Sequence, residues 1–189
     1  MPLTIEVPAG EVYGAIDPET GKKMFVRTKA TSIVLEHSLI SLARWEEKWH
    51  KPYIGTEKTD EETLDYIRCM TISQNVEPNV YKVLTNENIN DIVKYIEDPH
   101  TATTVRENPN APKSREIITA ELIYYWMISY NIPIDICQKW HLNRLIMLIK
   151  VFSAKNAAPK KMSASERTAE LMRRNALNEA RRKKYNSRG

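Results

Sequence analysis

Glycine, cysteine and continuous apolar stretches are all scarce in this chain of 189 residues. Its five glycines favour helix over loop-rich β structure, because turns and bulges are where glycine is most needed. Two cysteines, Cys69 and Cys137, exclude a disulfide framework and are typical of reduced thiols in a cytoplasmic protein. The N-terminus lacks a basic segment followed by an apolar one, so we expect no signal peptide.

A membrane-spanning segment is missing as well. The most apolar stretch, residues 117–136, is interrupted by Glu121, Asn131, Pro133 and Asp135, whereas a span needs about 20 mainly apolar residues. The chain also has no P-loop, no GxSxG and no HExxH pattern. These absences disfavour a membrane protein, and they predict that the chain is not an enzyme and uses no cofactor.

Hydrophobic periodicity divides the chain into a β-rich start and a helical remainder. Alternation at 3–7, 24–28 and 32–36 predicts a small antiparallel sheet of three or four strands, with a turn at 17–21. From Ser38 the period becomes helical, and Thr59 with Glu62 forms a capping-box pattern. Helices are expected at 39–50, 59–72, 79–84, 85–97, 115–130 and 134–153, with an exposed loop at 98–113. The predicted fold is mainly α with a small N-terminal antiparallel β-sheet (α+β).

Charge is distributed unevenly along the chain. Residues 155–189 hold eleven Lys/Arg and three Asp/Glu, a net charge of +8, while the first 154 residues carry −4. Residues 156–161 are typical of a hinge, and 165–184 form a helical pattern whose apolar strip is too narrow to fold alone. We therefore predict a small β-sheet at 1–36, a helical domain at 37–154 that forms one globular unit with it, and a basic, partly flexible helical tail at 155–189.

One pair of residues is a candidate for metal binding. Cys137 and His141 lie four residues apart on a predicted helix, so both could face one ion. A zinc site needs at least one more ligand, and no other cysteine or histidine has diagnostic spacing. We favour the structural alternative, a buried thiol beside a hydrogen-bonded imidazole, and predict no metal site.

Two acid-containing patterns are candidates for catalysis. Glu36, His37 and Ser38 have the composition of a triad, but adjacent residues do not converge on one reacting atom. The acidic pairs at 46–47 and 61–62 are more typical of solvated helix faces than of acid–base pairs, which need a cleft and shifted pKa values. We therefore predict no catalytic residue.

Aromatic side chains and the basic tail are the candidates for partner binding. Trp and Tyr are frequent interface anchors, although a role in the core is the alternative for each of them. The tail can contact phosphates, dock on an acidic protein surface that includes its own body, or remain solvated. Basic residues do not interleave with the aromatic ones, which disfavours a nucleic-acid partner. The candidates are Trp45, Trp49, Tyr125, Trp126, Trp140, Arg173, Arg174, Arg181, Arg182, Lys183 and Lys184.

Several segments of the chain together resemble a known group of proteins. They are LEHSLISL at 35–42, W-E-x-K-W-x-K-P at 45–52, ETLDYIRCMT at 62–71, YYWM at 124–127, QKWHLNRL at 138–145, and the basic ending at 180–189. The similarity covers most of the chain and includes no catalytic motif. The group it resembles is the tail assembly chaperones of long-tailed phages.

This resemblance implies a function in phage assembly. Such chaperones are small, largely helical and cytoplasmic, and they bind the long helical tape-measure protein before the tail tube polymerises. The implied protein is a non-enzymatic chaperone in the host cell cytoplasm, with the tape-measure or another tail protein as its partner, and with self-association left open. Two alternatives remain: a structural virion or connector protein, and a nucleic-acid-binding accessory protein that uses the basic tail.

Overall fold

The computed structural model describes residues 2–16, 22–105, 116–156 and 164–185. It is mainly α-helical with a small antiparallel β part at the N-terminus, as the sequence predicts. Among the described helices, none combines the length and the apolarity needed to cross a membrane. The elements are β1 (Leu3–Val7), β2 (Gly10–Ile16), β3 (Lys23–Thr28), β4 (Thr31–Leu35), α1 (Leu39–Trp49), α2 (Asp60–Met70), a 3₁₀ helix (Pro78–Val83), α3 (Asn86–Glu97), α4 (Ala120–Ser129), α5 (Ile134–Cys137), α6 (Leu142–Asn156) and α7 (Ala164–Tyr185).

The strands form two separate ladders, not the single three- or four-stranded sheet that the pattern predicts. β1 pairs antiparallel with β4, and β2 pairs antiparallel with β3. Val7 lies opposite Thr31, and Gly10 lies opposite Thr28. On each side two residues are therefore skipped between the two ladders, and the pairing register is the same in both. Pro8 occupies the skipped stretch, and proline has no N–H to donate to a ladder.

Reciprocal side-chain caps decide where the first helices begin. At the start of α1, the Ser38 hydroxyl accepts from the Ser41 N–H, and the Ser41 hydroxyl accepts from the Ser38 N–H. The predicted capping box of α2 is confirmed, since Thr59 and Glu62 make both of its bonds. Helix α1 ends at Trp49, and the next residue, His50, adopts a left-handed backbone with φ 50°.

Buried apolar side chains form two clusters, and α1 contributes to both. The sheet-side core includes Val7, Ile33, Leu35, Trp45, Tyr66, Met70 and Ile92. The helix-side core includes Leu39, Leu42, Ile123, Met127, Leu142 and Leu145. Each such side chain contributes roughly 1.5–3 kcal/mol when it leaves water. Helix α1 therefore connects the two cores, because Leu39 and Leu42 pack in one and Trp45 packs in the other.

The main departure from the sequence pattern is a break in the last helix of the body. The pattern predicts one helix over 134–153, but the chain forms α5 and α6 with a turn between them. The Leu142 N–H donates to the His37 carbonyl at 2.8 Å, and Ser38 forms an isolated β-bridge with His141. These bonds to a distant segment replace helical hydrogen bonds, which explains why local periodicity does not reveal the break.

By its contacts the chain divides into two compact units, Met1–Ala154 and Lys155–Gly189. In the second unit, α7 is a helix of 22 residues whose described side chains are exposed. Helix α4 begins later than the predicted helix at 115–130. The predicted turn at 17–21, residues 106–113 of the predicted loop and residues 157–161 of the predicted hinge lie outside the described residues.

Candidate protein-docking surface

The two tryptophans of α1 are candidates for partner binding in the sequence, but they hold α1 against α2. Trp45 is fully buried, and its indole N–H donates to the Glu62 carbonyl at 2.9 Å. Trp49 is half-buried, and its indole N–H donates to the Asp65 carboxylate at 2.9 Å. Both bonds satisfy the polar edge of a ring whose body is packed. Trp45 offers a partner no surface in this fold, and we withdraw it from the candidates.

Glu46, which the pattern assigns to a solvated helix face, is buried instead. Its carboxylate accepts from the Tyr53 N–H and from the Ala120 N–H, each at 2.7 Å. Ala120 is the first residue of α4, where a negative charge is favoured by the helix dipole. Glu46 therefore helps to set where α4 begins, whereas its neighbour Glu47 is exposed as expected.

Two acidic side chains of α2 are buried as well. Glu62 pairs with the Lys51 ammonium at 2.6 Å in addition to its capping bonds, which corrects the solvated face expected for it. Asp65 binds the Lys48 ammonium and the indole of Trp49. These carboxylates are occupied by structural partners, so they are not poised for acid–base chemistry.

Large apolar side chains are exposed on α4, on α5 and in the residues just before α4. Tyr125 and Ile128, about one turn apart on α4, are each 63% exposed. Ile136 on α5 is also 63% exposed, and Ile117, just before α4, is 65% exposed. Glu121 is exposed one turn before Tyr125. We name these five exposed residues the docking face, because exposed large apolar side chains are candidates for contact with another protein.

The docking face belongs to a segment without positive charge. Residues 116–138 contain Glu116, Glu121 and Asp135 but no Lys or Arg. A surface cavity of about 260 Å³ lies at the start of α4, and its lining includes Glu47, Glu121 and the basic Lys51. This combination suits a partner that is apolar and basic.

The remaining aromatic candidates are less exposed than Tyr125. Trp126 is half-buried and packs against the helix-side core. Trp140 is also half-buried, and the Arg144 guanidinium lies over its ring, 4.2 Å from the centroid. Of the five aromatic candidates, Tyr125 alone is more than half exposed, so it is the one best placed to contact a partner.

Three histidines meet beside the break between α5 and α6, which no spacing in the sequence indicates. The ring centroid of His141 lies 5.0 Å from that of His37 and 4.0 Å from that of His100. The Tyr66 hydroxyl is 2.6 Å from His37 Nδ1. The carbonyl of Tyr95 can only accept, so His141 Nε2 donates to it at 2.9 Å. We name His37, His100 and His141 the histidine cluster.

Burial sets the charge of the histidine cluster. Burial, followed by the nearby His141 and His100, lowers the pKa of His37 to about 3. Burial also lowers the pKa of His141 to about 4. The Nδ1 atom of His141 is buried, and no hydrogen-bond partner for it lies among the described residues. The rings of His37 and His141 are therefore neutral at pH 7. Protonation of either ring places a positive charge where little water can solvate it.

Cys137 and His141 do not form the half-site on one helix that the sequence permits. Helix α5 ends at Cys137, and His141 lies beyond the turn that follows. In the part of the chain that the structure describes, no group of three His, Cys, Asp or Glu side chains is placed to hold a metal ion. Burial raises the pKa of Cys137, and it raises that of Cys69 to about 11, so little of either thiol is ionised at neutral pH.

The basic candidates lie on α7, in the second unit. All six of them, Arg173, Arg174, Arg181, Arg182, Lys183 and Lys184, are exposed. Arg173 pairs with Glu170 at 3.1 Å, and such an exposed pair contributes at most about 1 kcal/mol. Leu171, Met172 and Leu177 are exposed on the same helix. Helix α7 therefore presents both positive charge and apolar surface.

Comparison with known proteins leaves these surfaces as the basis for a function. No protein-family model, no curated protein and no solved structure matches the chain. The resemblance to phage tail chaperones therefore stays a prediction. Any function has to be argued from the docking face, the histidine cluster and α7.

Proposed function

We propose that this protein binds an amphipathic helical partner, as a non-enzymatic tail assembly chaperone that holds the tape-measure protein before the tail tube polymerises. The observation that carries the binding is the docking face, with Tyr125 and Ile128 on α4 and Ile136 on α5 more than half exposed. The assignment to phage tails comes from the segment resemblance. The role places the protein in the host cytoplasm.

An exposed apolar helix face suits a helical client for physical reasons. An amphipathic helix can lay its apolar stripe against such a face, with anchors one turn apart. Tyr125 and Ile128 have that spacing on α4. Each large apolar side chain that a client covers contributes roughly 1.5–3 kcal/mol. A long client that would otherwise aggregate is protected when its stripe is covered in this way.

The test is a pull-down with the full chain as bait, from nuclease-treated cells that express phage tail genes. We expect the tape-measure protein, identified by mass spectrometry, to stay bound at high salt because the contact is apolar. Ile128→Asp should remove most of it, since a charge then lies within the contact.

Val93→Asp is the matched control for this experiment. Val93 is an exposed apolar residue of α3, away from the docking face, and its substitution should leave capture unchanged. Equal capture by both variants, or no enrichment of the tape-measure protein over an empty bait, would contradict the proposal. Stoichiometric protein in purified virions would instead favour the structural alternative.

A second candidate function is nucleic-acid binding, which the exposed basic end of α7 favours. Residues 181–184 are four consecutive basic side chains, all exposed. If they contact phosphates, the affinity for duplex DNA should fall steeply as salt rises and vanish when 155–189 are deleted. Affinity that is absent, or insensitive to salt, would remove this candidate.

A further inference from the structure

The docking face and α7 are complementary surfaces of the same chain. The docking face combines four exposed apolar side chains with Glu121, and its segment, residues 116–138, has no Lys or Arg. Helix α7 exposes Leu171, Met172 and Leu177. Residues 164–185 hold seven Lys/Arg and three Glu. The two surfaces are opposite in charge, and both expose apolar side chains.

We infer that α7 of one copy of this chain binds the docking face of a second copy, so that the protein self-associates. This inference goes beyond the proposed function, because it concerns two copies of the chain and requires no client. Every copy carries one donor helix and one docking face. A two-fold pair can therefore use both surfaces of both copies and close without further growth.

Charge distinguishes the docking face from the other exposed apolar surface of the body. The β2–β3 ribbon also exposes large apolar side chains, namely Tyr13, Met24, Phe25 and Val26. Lys23 and Arg27 lie on that ribbon, within β3, and Arg27 pairs with Glu11 of β2 at 2.8 Å, so the two strands keep a small net positive charge. A basic helix is repelled there and attracted to a segment that holds only acidic charge. The docking face is consequently the better match for α7.

Helix α7 has physical reasons to seek a partner. An isolated helix with a narrow apolar strip is marginal in water, and packing of one face provides most of the stability of helices in proteins. Ala169, Met172, Ala176 and Ala180 follow one another at intervals of three or four residues, so they share one side of α7. Small alanine side chains let this side approach bulky groups such as Tyr125 closely.

The test measures the association state of the full chain. Sedimentation velocity over roughly a hundredfold range of concentration should show a monomer that converts to a dimer by mass action. Leu177→Asp alters the donor helix and Ile128→Asp alters the docking face, and both positions are more than half exposed, so the fold should persist. Each substitution should weaken dimerisation about a hundredfold or more, because it removes one apolar anchor, at about tenfold each, from both contacts of the pair.

A mixing experiment separates this arrangement from other dimers. The Leu177→Asp chain keeps an intact docking face, and the Ile128→Asp chain keeps an intact α7. Their mixture should form a heterodimer through one intact contact, although neither variant dimerises well alone. Failure of the mixture to associate would overturn the inference, because it would mean that the two surfaces do not meet each other.

Three other outcomes would also overturn the inference. They are a monomer at every concentration, a dimer that both substitutions leave intact, and a dimer weakened equally by the control Val93→Asp. Circular dichroism of each variant checks that helix content is unchanged. Leu177→Asp also separates the two proposals, because it should weaken self-association and leave capture of the tape-measure protein by the docking face in place.

Discussion

Helices α1 and α4 carry aromatic side chains in similar sequence settings, yet they use them in opposite ways. Trp45 of α1 is fully buried, whereas Tyr125 of α4 is 63% exposed. Helix α1 contributes to both cores, while α4 packs only in the helix-side core. The comparison teaches that the number of covered sides of a helix decides whether its aromatic residues stabilise the fold or can contact a partner.

Polar partners strengthen the contrast between the two helices. The indole N–H of Trp45 and that of Trp49 both find acceptors on α2. Tyr125 is exposed on α4, where the one charged residue is Glu121. A buried donor without an acceptor costs about 1–3 kcal/mol. Trp45 can therefore be buried because α2 supplies an acceptor for its indole N–H.

The largest expected effect comes from Trp45→Ala. Removing a fully buried indole leaves a cavity and loses its hydrogen bond to the Glu62 carbonyl, so the free energy of unfolding should fall by about 3–5 kcal/mol. Urea denaturation monitored by circular dichroism measures the change. Trp45→Phe should lose less, because most of the volume is kept. If Trp45→Ala lowers the free energy of unfolding by less than about 1 kcal/mol, Trp45 does not stabilise the fold more than the exposed Tyr125 of α4 does.

An intermediate effect is expected on acidification, and it tests the histidine cluster. His37 and His141 have pKa values lowered from 6.5 to about 3 and about 4, so below pH 6.5 the unfolded chain binds protons that the folded chain does not. The free energy of unfolding should therefore fall as the pH is lowered from 6.5 toward the folded-state pKa of each histidine. Urea denaturation at a series of pH values measures this slope.

Two substitutions show whether the histidine cluster causes that slope. Asp98 and the cations Lys139 and Arg144 lie near the rings, and they are unchanged in both variants. His141→Gln can keep the bond to the Tyr95 carbonyl without a titrating ring, so it should flatten the pH dependence. The control is His50→Asn, which alters an exposed histidine in a left-handed conformation that asparagine tolerates. An equal slope in all three proteins would contradict the role of the cluster.

The smallest effect on stability is expected for Tyr125→Ala. An exposed side chain contributes little to the fold, so the free energy of unfolding should change by less than about 0.5 kcal/mol. Partner binding should nevertheless weaken, which a fluorescence or sedimentation titration against the captured client detects. A destabilisation comparable to that of Trp45→Ala would show that Tyr125 is a core residue and would remove the docking face as a site.

Features that depend on residues close together in the chain are predictable from the sequence, and features that depend on residues far apart in the chain are not. The capping box of Thr59 and Glu62 is visible, because both partners lie within one turn. The burial of Glu46 is not visible, because one of its two N–H donors belongs to Ala120, 74 residues away. The histidine cluster escapes notice for the same reason, since its members come from three distant segments.

The candidate site was only partly visible in the sequence. Tyr125 is among the residues that the pattern selects, and the three isoleucines beside it in the docking face are not. Isoleucine at helical spacing normally indicates the core, and exposure depends on which neighbouring elements cover the helix. The absence of Lys and Arg from residues 116–138 is a readable signal, and it gains meaning once those apolar groups are known to face water.

The sequence by itself determined that the chain is mainly helical after a short β start, that several helices begin at capping residues, and that positive charge collects at the C-terminal end. These properties follow from periodicity, propensity and charge, which act over a few residues. Only the tertiary structure decided that α6 is separated from α5, that Trp45 and Glu46 are interior, and that one side of α4 stays exposed. Those outcomes depend on which distant backbone groups supply hydrogen bonds and which surfaces remain without a cover.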